Sequence, residues 1–376
     1  MDRRRIRVAL DATPLIGRPT GVGAFCAGVL GGLAGRPDVD ASAFAVSWRR
    51  RHGIDGVVPP GVAVVRRAMP ARPLHRAWAL GELPPIEWFV GAVDVVHGTN
   101  FVVPPARRAA RVVTVHDLTP LRFPELCDPS TLAYPALIRR AIGRGAWVHT
   151  DSAFVAREVV EELGADPGRV RVVHPGVPAL PAADPAAPAR VLPRGTSRFV
   201  LAVGTAEPRK DLPGLVAAFD LLAPRHPDLA LVLAGPPGWG SAQLEAAVAA
   251  ARCGDRVVVT GWVDGETLSG LVAGAAVLAY PSVYEGFGFP PLQAMAAGTP
   301  VVATKTGALE EVLGDAARLV TVGDREALAD GLAAVLDSPA VAAELVGRGA
   351  VRAAVYRWDR CAAGLEALYR DTLAAR

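Results

Sequence analysis

Short β-branched runs alternate with helix-forming stretches along nearly the whole chain, and this alternation constrains the fold more than any other feature. Candidate strands in the first half lie at residues 6–10, 43–47, 62–66, 93–97, 111–115, 147–150 and 170–174. Helical periodicity lies between many of them, as at residues 22–33, 131–142 and 153–163. Strands that alternate with helices are typical of parallel sheets, so the sequence predicts the α/β class.

A segment rich in Pro and Ala, residues 176–197, interrupts the alternation and predicts a linker. Candidate strands then resume at residues 199–203, 230–234, 256–260, 276–280, 301–303 and 318–320. We therefore predict two doubly wound domains, residues 1–180 and 198–355, with residues 181–197 between them. Apolar residues three or four apart in the remaining stretch, 356–376, predict a final helix.

The composition fits a soluble cytoplasmic protein. The chain has 376 residues, of which 51% are hydrophobic, and this is enough for two buried cores. Its four cysteines lie far apart in the sequence, so we expect neither a disulfide framework nor a zinc site. Arg7 and Asp11 interrupt the first apolar run, which argues against a signal peptide. No run of about 18 apolar residues predicts a membrane span.

The positive charge is concentrated in the first half. Residues 1–180 carry 23 Arg and 16 acidic residues (+7), whereas residues 181–376 carry 17 basic and 21 acidic residues (−4). The arginines at 49–51, 66, 67, 72, 76, 139, 140 and 144 form either a surface for anionic lipid head groups or an ordinary solvated face. No motif or interleaved aromatic residue indicates a nucleic-acid partner.

The stretch from Tyr284 to Thr299 carries the clearest chemical pattern. Two glycines precede Pro290 and Pro291, which are suited to a first helical turn, so we predict a helix that begins near Phe289. The N-terminus of such a helix favours an anion. Glu285 before it and Gln293 inside it would contact the two ends of a ligand with a charged middle, such as a sugar nucleotide. An ordinary strand-to-helix turn is the alternative.

Other polar residues follow candidate strands, where α/β proteins bind ligands. Arg209 and Lys210 are adjacent cations that can neutralise a diphosphate without a metal ion. No Asp-x-Asp motif of the kind that holds a divalent ion beside a nucleotide sugar is found near them. We therefore expect a metal-independent reaction and no cofactor.

Two further sets of residues are candidates in the first half. Gly21 and Gly23 open a predicted helix and either direct backbone N–H groups at a diphosphate or have a packing role. His116 and Asp117 end a buried strand; Asp117 is expected either to cap the next turn or to orient His116 or an acceptor. His97 and Asn100 are candidates for the acceptor side, with a structural role as the alternative for the histidine.

These segments resemble the motifs of retaining GT-B glycosyltransferases of family 4, most closely their bacterial GDP-mannose-dependent mannosyltransferase branch. Residues 285–293 resemble the Glu-x7-Glu motif, although its second Glu is Gln293 here. The resemblance extends in order through Gly21-Val-Gly23, Val115-His-Asp117, Val203-Gly-Thr-Ala-Glu-Pro-Arg-Lys210, Leu233-Ala-Gly-Pro-Pro-Gly238, Gly261-Trp-Val-Asp264, Val301-Val-Ala303 and Gly314-Asp-Ala-Ala317. It implies two Rossmann-like domains facing across a cleft, with the last helix crossing back to the first domain.

The resemblance also implies roles. Arg209 and Lys210 would bind the pyrophosphate, Glu285 and His116 the donor sugar, and Gln293 the ribose. The nucleobase would lie near Trp262 and Val263, with core burial as the alternative for Trp262. The implied donor contacts also include Gly204, Thr205, Gly286, Phe287 and Gly288.

The implied activity is retaining transfer of a hexose, with mannose from GDP-mannose as the first candidate, to a hydroxyl of a glycan, a lipid-linked glycan or a small molecule. UDP- and dTDP-hexose donors remain open. Two other classes compete with this interpretation. One is a nucleotide-sugar epimerase of the same fold, and the other is a weakly active donor-binding subunit.

Overall fold

The computed structural model describes residues 4–17 and 20–376, which form two compact units. Unit 1 comprises Met1–Leu121, Ser130–Pro178 and Tyr356–Arg376, and unit 2 comprises Arg122–Pro129 and Ala179–Val355. Each unit has one parallel sheet with helices, so the predicted α/β class with two Rossmann-like domains is confirmed. Among the described residues, none of the helices has both the length and the apolar character needed to span a bilayer.

Unit 1 contains a seven-stranded sheet in the order β3-β2-β1-β4-β5-β6-β7. Its strands are β1 Ile6–Asp11, β2 Val39–Phe44, β3 Ala63–Val65, β4 Val95–Gly98, β5 Ala110–Val115, β6 Trp147–Thr150 and β7 Val170–Val172. Its helices are α1 Gly21–Ala34, α2 Ala71–Leu80, α3 Glu87–Val90, α5 Tyr134–Gly143, α6 Ala153–Leu163 and α15 Trp358–Ala374; α4, Thr119–Arg122, lies at the boundary between the units.

Unit 2 contains a six-stranded sheet in the order β10-β9-β8-β11-β12-β13. Its strands are β8 Arg198–Val203, β9 Leu229–Ala234, β10 Val257–Gly261, β11 Val277–Tyr280, β12 Val301–Thr304 and β13 Arg318–Val320. Its helices are α7 Ala187–Val191, α8 Leu212–Leu222, α9 Ser241–Ala250, α10 Gly265–Gly274, α11 Phe289–Ala296, α12 Leu309–Leu313, α13 Arg325–Asp337 and α14 Pro339–Ala353.

Each predicted strand has a counterpart, and the differences in bounds have local causes. Strand β2 begins at Val39, before the predicted residue 43, because Val39, Ala41 and Ala43 alternate into the core and pair with β1. Helix α5 begins at Tyr134, later than predicted, with Pro135 in its first turn.

The Pro- and Ala-rich segment predicted as a linker includes a short helix. It contains α7, which packs beside α10. Small residues on α10 allow this close approach, since a Cβ atom at Gly270 would lie 2.1 Å from the carbonyl oxygen of Asp184. Residues 179–197 are therefore part of unit 2.

The final helix, α15, packs against α1 in unit 1, as predicted. The Trp358 ring lies against two glycines: a Cβ atom at Gly28 would be 2.2 Å from the ring, and one at Gly176 would be 2.6 Å from it. Each glycine thus leaves the space that the indole occupies. A side chain at either position would displace Trp358 or the helix that carries it.

A chain of buried hydrogen bonds also joins α15 to the sheet of unit 1. The Tyr369 hydroxyl donates to His97 Nδ1 over 2.7 Å, and His97 Nε2 donates to Thr114 Oγ1 over 2.8 Å. Thr114 Oγ1 then donates to His149 Nδ1 over 3.0 Å, and His149 Nε2 donates to the Val173 carbonyl over 2.9 Å. Burial lowers the pKa of His97 and of His149, so both are neutral, as this order of donors requires.

We predict that Gly28→Ala lowers the free energy of unfolding by about 1 to 3 kcal/mol, because the new methyl group overlaps the Trp358 ring. Gly31→Ala on the same helix is the matched control, since a Cβ atom there has no neighbour within 4 Å; it should be neutral or stabilising. Thermal and urea unfolding measure both variants. Equal stability of the two would contradict the packing assigned to Trp358.

Candidate active site

The candidate donor site of unit 2 lies at the carboxyl ends of β8 and β11. These strands are neighbours at the centre of the sheet, with β9 and β10 on one side and β12 and β13 on the other. Loops that leave such a pair diverge and leave a crevice for a ligand. Glu207, Arg209 and Lys210 follow β8, and Glu285 follows β11.

The side chains of three predicted catalytic residues meet in this crevice. Glu285 is 6% exposed, and its Oε1 atom lies 2.8 Å from Arg209 Nη1 and 2.6 Å from Lys210 Nζ. Lys210 also donates to the Tyr280 hydroxyl over 2.6 Å, and Arg209 lies 3.4 Å from Glu207 Oε2. The site therefore contains two adjacent cations that share a buried carboxylate.

Burial and charge act in opposite directions on Glu285. Burial alone would raise the pKa of this carboxyl, but the charges of Arg209 and Lys210 outweigh it and lower the pKa to about 2. Burial lowers the pKa of Lys210 and raises that of Glu207. Glu285 is thus ionised at neutral pH and can only accept hydrogen bonds there.

Backbone contacts fix the loop that carries Glu285. The carbonyl oxygen of Glu285 accepts from the N–H of Ala308 over 2.8 Å, and Arg209 Nη1 donates to the Tyr284 carbonyl over 2.9 Å. Gly307 allows the first contact, because its φ is +54° and a Cβ atom there would lie 2.2 Å from the Glu285 carbonyl oxygen. The carboxylate is therefore held by its backbone as well as by its ion pairs.

The remaining predicted donor contacts in unit 2 follow the carboxyl ends of β8, β10 and β11. Gly204 and Thr205 directly follow β8, and a Cβ atom at Gly235 would lie 1.9 Å from the Gly204 carbonyl oxygen.

Helix α11 begins at Phe289, as predicted, after Gly288 with a φ of +103°. Gly286 and Phe287 are buried beside it, and Gln293 is partly exposed one turn into the helix. Trp262 is 46% exposed and Val263 is half-buried after β10, so Trp262 is not a core residue.

His116 in unit 1 is bound on both sides. Its Nδ1 atom lies 2.6 Å from Asp151 Oδ2, and its Nε2 atom donates to the Thr99 carbonyl over 2.9 Å. Burial would lower the pKa of His116, but Asp151 outweighs it and the net shift is upward. Both ring nitrogens are therefore engaged within unit 1, and neither is available to a sugar without a rearrangement.

The other predicted residues of unit 1 have separate roles. Gly21 starts α1, and the N–H of Gly23 donates to the capping Thr20 Oγ1 over 3.1 Å. Asp117 accepts from the N–H of Thr119 over 2.9 Å, so it caps the next turn. His97 belongs to the buried chain described above, whereas Asn100 lines a cavity with Asp11 and Tyr134.

Comparisons with known proteins decide the family. The family model described as "Glycosyltransferase Family 4" matches residues 19–179 of the chain. The family model described as "Glycosyl transferases group 1" matches residues 185–350. The chain is 30% identical to the O-antigen chain mannosyltransferase B of Escherichia coli, over 77% of this chain and 75% of that protein. It is also 30% identical to the D-inositol 3-phosphate glycosyltransferase of Acidothermus cellulolyticus, over 100% of this chain and 91% of that protein.

The chain is a group 1, family 4 glycosyltransferase. Its fold is similar to that of Anabaena Alr3699/HepE in complex with UDP and glucose, with a TM-score of 0.75 and 16% identity over 99% of this chain and 100% of that chain. The architecture is GT-B, and the enzyme is a hexosyltransferase.

Three polar residues that contact or lie beside the candidate residues were not predicted from the sequence. Asp151 pairs with His116, Asp11 lines the cavity that Asn100 lines, and Tyr280 accepts from Lys210. Asp151 directly follows β6, and Asp11 and Tyr280 are the last residues of β1 and β11. A search for polar residues at each strand end would have found all three.

We predict that acid destabilises the wild type through Glu285. Its folded pKa lies below its ordinary value, so its contribution is present above about pH 4.5 and is lost as the pH falls towards 2. Below pH 4.5 the slope of unfolding free energy against pH should exceed that of Glu285→Gln by up to about 1.4 kcal/mol per pH unit. Urea unfolding at several pH values measures this difference.

Glu310→Gln is the control for this slope, because Glu310 is exposed and pairs only at the surface with Lys305. It should keep the acid dependence of the wild type. A Glu285→Gln variant that also keeps it would show that Glu285 is not held ionised by Arg209 and Lys210.

Proposed function

We propose that the enzyme is a retaining hexosyltransferase that uses a nucleotide-diphosphate sugar, with GDP-mannose as the first candidate, and transfers the hexose to a hydroxyl. The observation that carries this proposal is the buried Glu285 carboxylate shared by Arg209 and Lys210 at the carboxyl ends of β8 and β11. Two adjacent cations suit a diphosphate, and an ionised carboxylate suits the hydroxyl donors of a sugar.

The proposed reaction is a front-face displacement. The bond between the anomeric carbon and the donor phosphate oxygen breaks, and a bond from that carbon to the acceptor oxygen forms on the same face. The acceptor's proton passes to the departing phosphate oxygen, so no separate base is required. Arg209 and Lys210 neutralise the charge that develops on the diphosphate, and we propose that they do so without a metal ion. Glu285 holds the sugar ring in place.

The names of relatives support mannose as the first candidate. One is the Escherichia coli O-antigen chain mannosyltransferase B, and another, 36% identical over 46% of this chain, is the MMP alpha-(1->4)-mannosyltransferase of Mycolicibacterium hassiacum. The Acidothermus cellulolyticus relative is instead named for D-inositol 3-phosphate. We therefore propose that the site binds a nucleotide-diphosphate hexose.

Gln293 is proposed to contact the ribose of the donor. It lies one turn inside α11, partly exposed, after the loop that carries Glu285. An amide offers one acceptor and one donor group, and it lacks the charge of the family's Glu. We expect it to bind the nucleotide roughly tenfold more weakly than a carboxylate would.

Activity and nucleotide binding together test this function. Wild-type protein should be stabilised against heat by GDP or another nucleoside diphosphate, and it should turn over the matching nucleotide sugar. Glu285→Gln should lower turnover by about a hundredfold or more, yet it should bind the diphosphate at least as well, because Arg209 and Lys210 lose their internal counter-ion.

Glu310→Gln again serves as the control and should keep wild-type turnover. A panel of GDP, UDP and dTDP identifies the base. If no nucleoside diphosphate raises the melting temperature, the proposal fails. Product formed from the nucleotide sugar without any acceptor would indicate an epimerase, and tight binding with no turnover would indicate a donor-binding subunit.

We also propose that unit 1 contacts the cytoplasmic face of a membrane. Trp48 is 59% exposed and Trp88 is 61% exposed. Arg51 donates to the Trp48 carbonyl, and Arg67 donates to the Trp88 carbonyl. Exposed tryptophans beside arginines suit the interface of an anionic bilayer.

The double variant Trp48→Ser/Trp88→Ser should bind vesicles of phosphatidylglycerol and phosphatidylcholine roughly tenfold more weakly than the wild type. Co-sedimentation measures the binding. The control is Val351→Ser, since Val351 is 73% exposed in unit 2. Equal binding of the wild type to vesicles of phosphatidylcholine alone, or no effect of the double variant, would rule out this surface.

A further inference from the structure

A cavity of about 410 Å³ lies within unit 1, and its position follows from the way the chain connects β4 to β5. Helices connect β1 to β2, β3 to β4, β5 to β6 and β6 to β7, whereas Thr99–Ala109 connects β4 to β5 without one. The cavity is lined instead by α2, by α5 and by the extended segment around Val102–Pro105. Its volume falls within the range of small-molecule sites.

Two contacts hold this connection in its extended form. The Glu87 carboxylate accepts from three consecutive backbone N–H groups, those of Arg107, Arg108 and Ala109. At the other end the chain passes close to Gly98, where a Cβ atom would lie 1.9 Å from the Val102 carbonyl oxygen. The cavity is therefore a built feature of the fold, because both ends of the connection are fixed.

The cavity is polar and acidic at the end near the carboxyl ends of β1 and β4. Asp11, Thr13 and Asn100 line this end. The Oδ1 atom of Asn100 is buried and has no hydrogen-bond partner among the described residues. A buried acceptor without a partner is uncommon, and it suits a ligand that donates an O–H group.

The opposite end is basic. Arg111, Arg140 and Arg144 surround a single carboxylate, that of Glu82, with N···O distances of 2.9, 3.8 and 3.4 Å. The Nη2 atom of Arg140 is buried without a hydrogen-bond partner among the described residues. Three guanidinium groups and one carboxylate leave an excess of positive charge, which suits an anion.

Apolar side chains line the middle of the cavity. Trp78 and Ala79 contribute from α2, and Leu137 and Ala141 from α5. Tyr134 is the first residue of α5 and lies at the acidic end of the cavity, where its ring stacks on Phe101 with centroids 4.9 Å apart. Arg144 follows the last residue of α5, at the basic end of the cavity. Ten residues of helix place these ends about 15 Å apart, a length that an extended chain of about a dozen bonds spans.

We propose that this cavity binds the acceptor, and that the acceptor is a soluble amphiphile with a hydroxyl at one end, an apolar chain in the middle and a carboxylate or similar anion at the other. This assignment rests on the proposed hexosyl transfer, which requires an acceptor with a hydroxyl group. Two buried atoms make no hydrogen bond among the described residues: an acceptor at one end, and at the other a donor that lies 3.8 Å from Glu82 Oε1. They match the two ends of such a molecule.

Three probes with the same number of carbon atoms test the proposal: 10-hydroxydecanoate, decanoate and decane-1,10-diol. Their binding is measured by calorimetry at concentrations where each probe is monomeric. The wild type should bind 10-hydroxydecanoate about tenfold more tightly than either of the others. Arg140→Gln should abolish its advantage over the diol, and Asn100→Leu should abolish its advantage over decanoate. Ala141→Phe, which fills the apolar middle, should weaken all three.

Two residues of α5 that do not line the cavity provide matched controls. Arg139 donates to the Glu162 carbonyl and Ala136 is exposed, so Arg139→Gln and Ala136→Phe should bind the probes like the wild type. Equal binding of the three probes, or equal effects of Arg140→Gln and Arg139→Gln, would overturn the proposal. Loss of phosphatidylglycerol-vesicle binding in Arg140→Gln but not in Arg139→Gln would overturn it too, because the cavity would then serve a bilayer lipid.

Nucleotide binding separates this inference from the proposed function. If GDP or UDP stabilises the protein and a sugar is transferred to some other hydroxyl compound while the probes fail to bind, the acceptor assignment is wrong and hexosyl transfer stands. If the probes bind as expected while no nucleoside diphosphate binds, hexosyl transfer is wrong. Formation of the O-hexoside of 10-hydroxydecanoate would support both.

Discussion

The buried ion pairs of Glu285 are the interaction on which the donor site depends. A carboxylate that is 6% exposed cannot stay ionised without counter-ions, and the chain provides Arg209 and Lys210 from the loop after the neighbouring strand. The two loops are consequently joined by charge as well as by backbone contacts, including the bond from the N–H of Val283 to the Arg209 carbonyl. The cations that pair with Glu285 are also the ones proposed to bind the diphosphate.

Under the proposed function, a diphosphate that reaches Arg209 and Lys210 would compete with Glu285, and the carboxylate would then accept from sugar hydroxyls. The loop is held independently of these ion pairs, because the Glu285 carbonyl accepts from the N–H of Ala308. The glycines at 204, 235 and 307 leave room for the close backbone approaches around it. The backbone of the site is therefore held by contacts that do not involve the Glu285 carboxylate.

Much of the fold could be predicted from the sequence, because strand and helix periodicities are local. The positions of 13 strands and the start of α11 at Phe289 follow from β-branched runs and from the two prolines. The position of the Trp358 ring could not, since it depends on Gly28 and Gly176, which are distant in the sequence. The pairing of His116 with Asp151 could not be predicted either, because Asp151 follows a different strand and becomes a neighbour only when β5 and β6 pair.

The cavity of unit 1 illustrates the same limit in another way. Residues 99–109 contain two prolines and no helical periodicity, so the sequence indicates a loop there, but the absence of a helix acquires meaning only when α2 and α5 line the space beside it. The arginines at 139 and 140 are adjacent in the sequence, yet Arg139 donates to the Glu162 carbonyl while Arg140 lines the cavity. Adjacent helical residues point about 100° apart, so a run of basic residues divides between two surfaces. The charge that the first half carries is thus not one uniform face, and part of it lies where a small anion would bind.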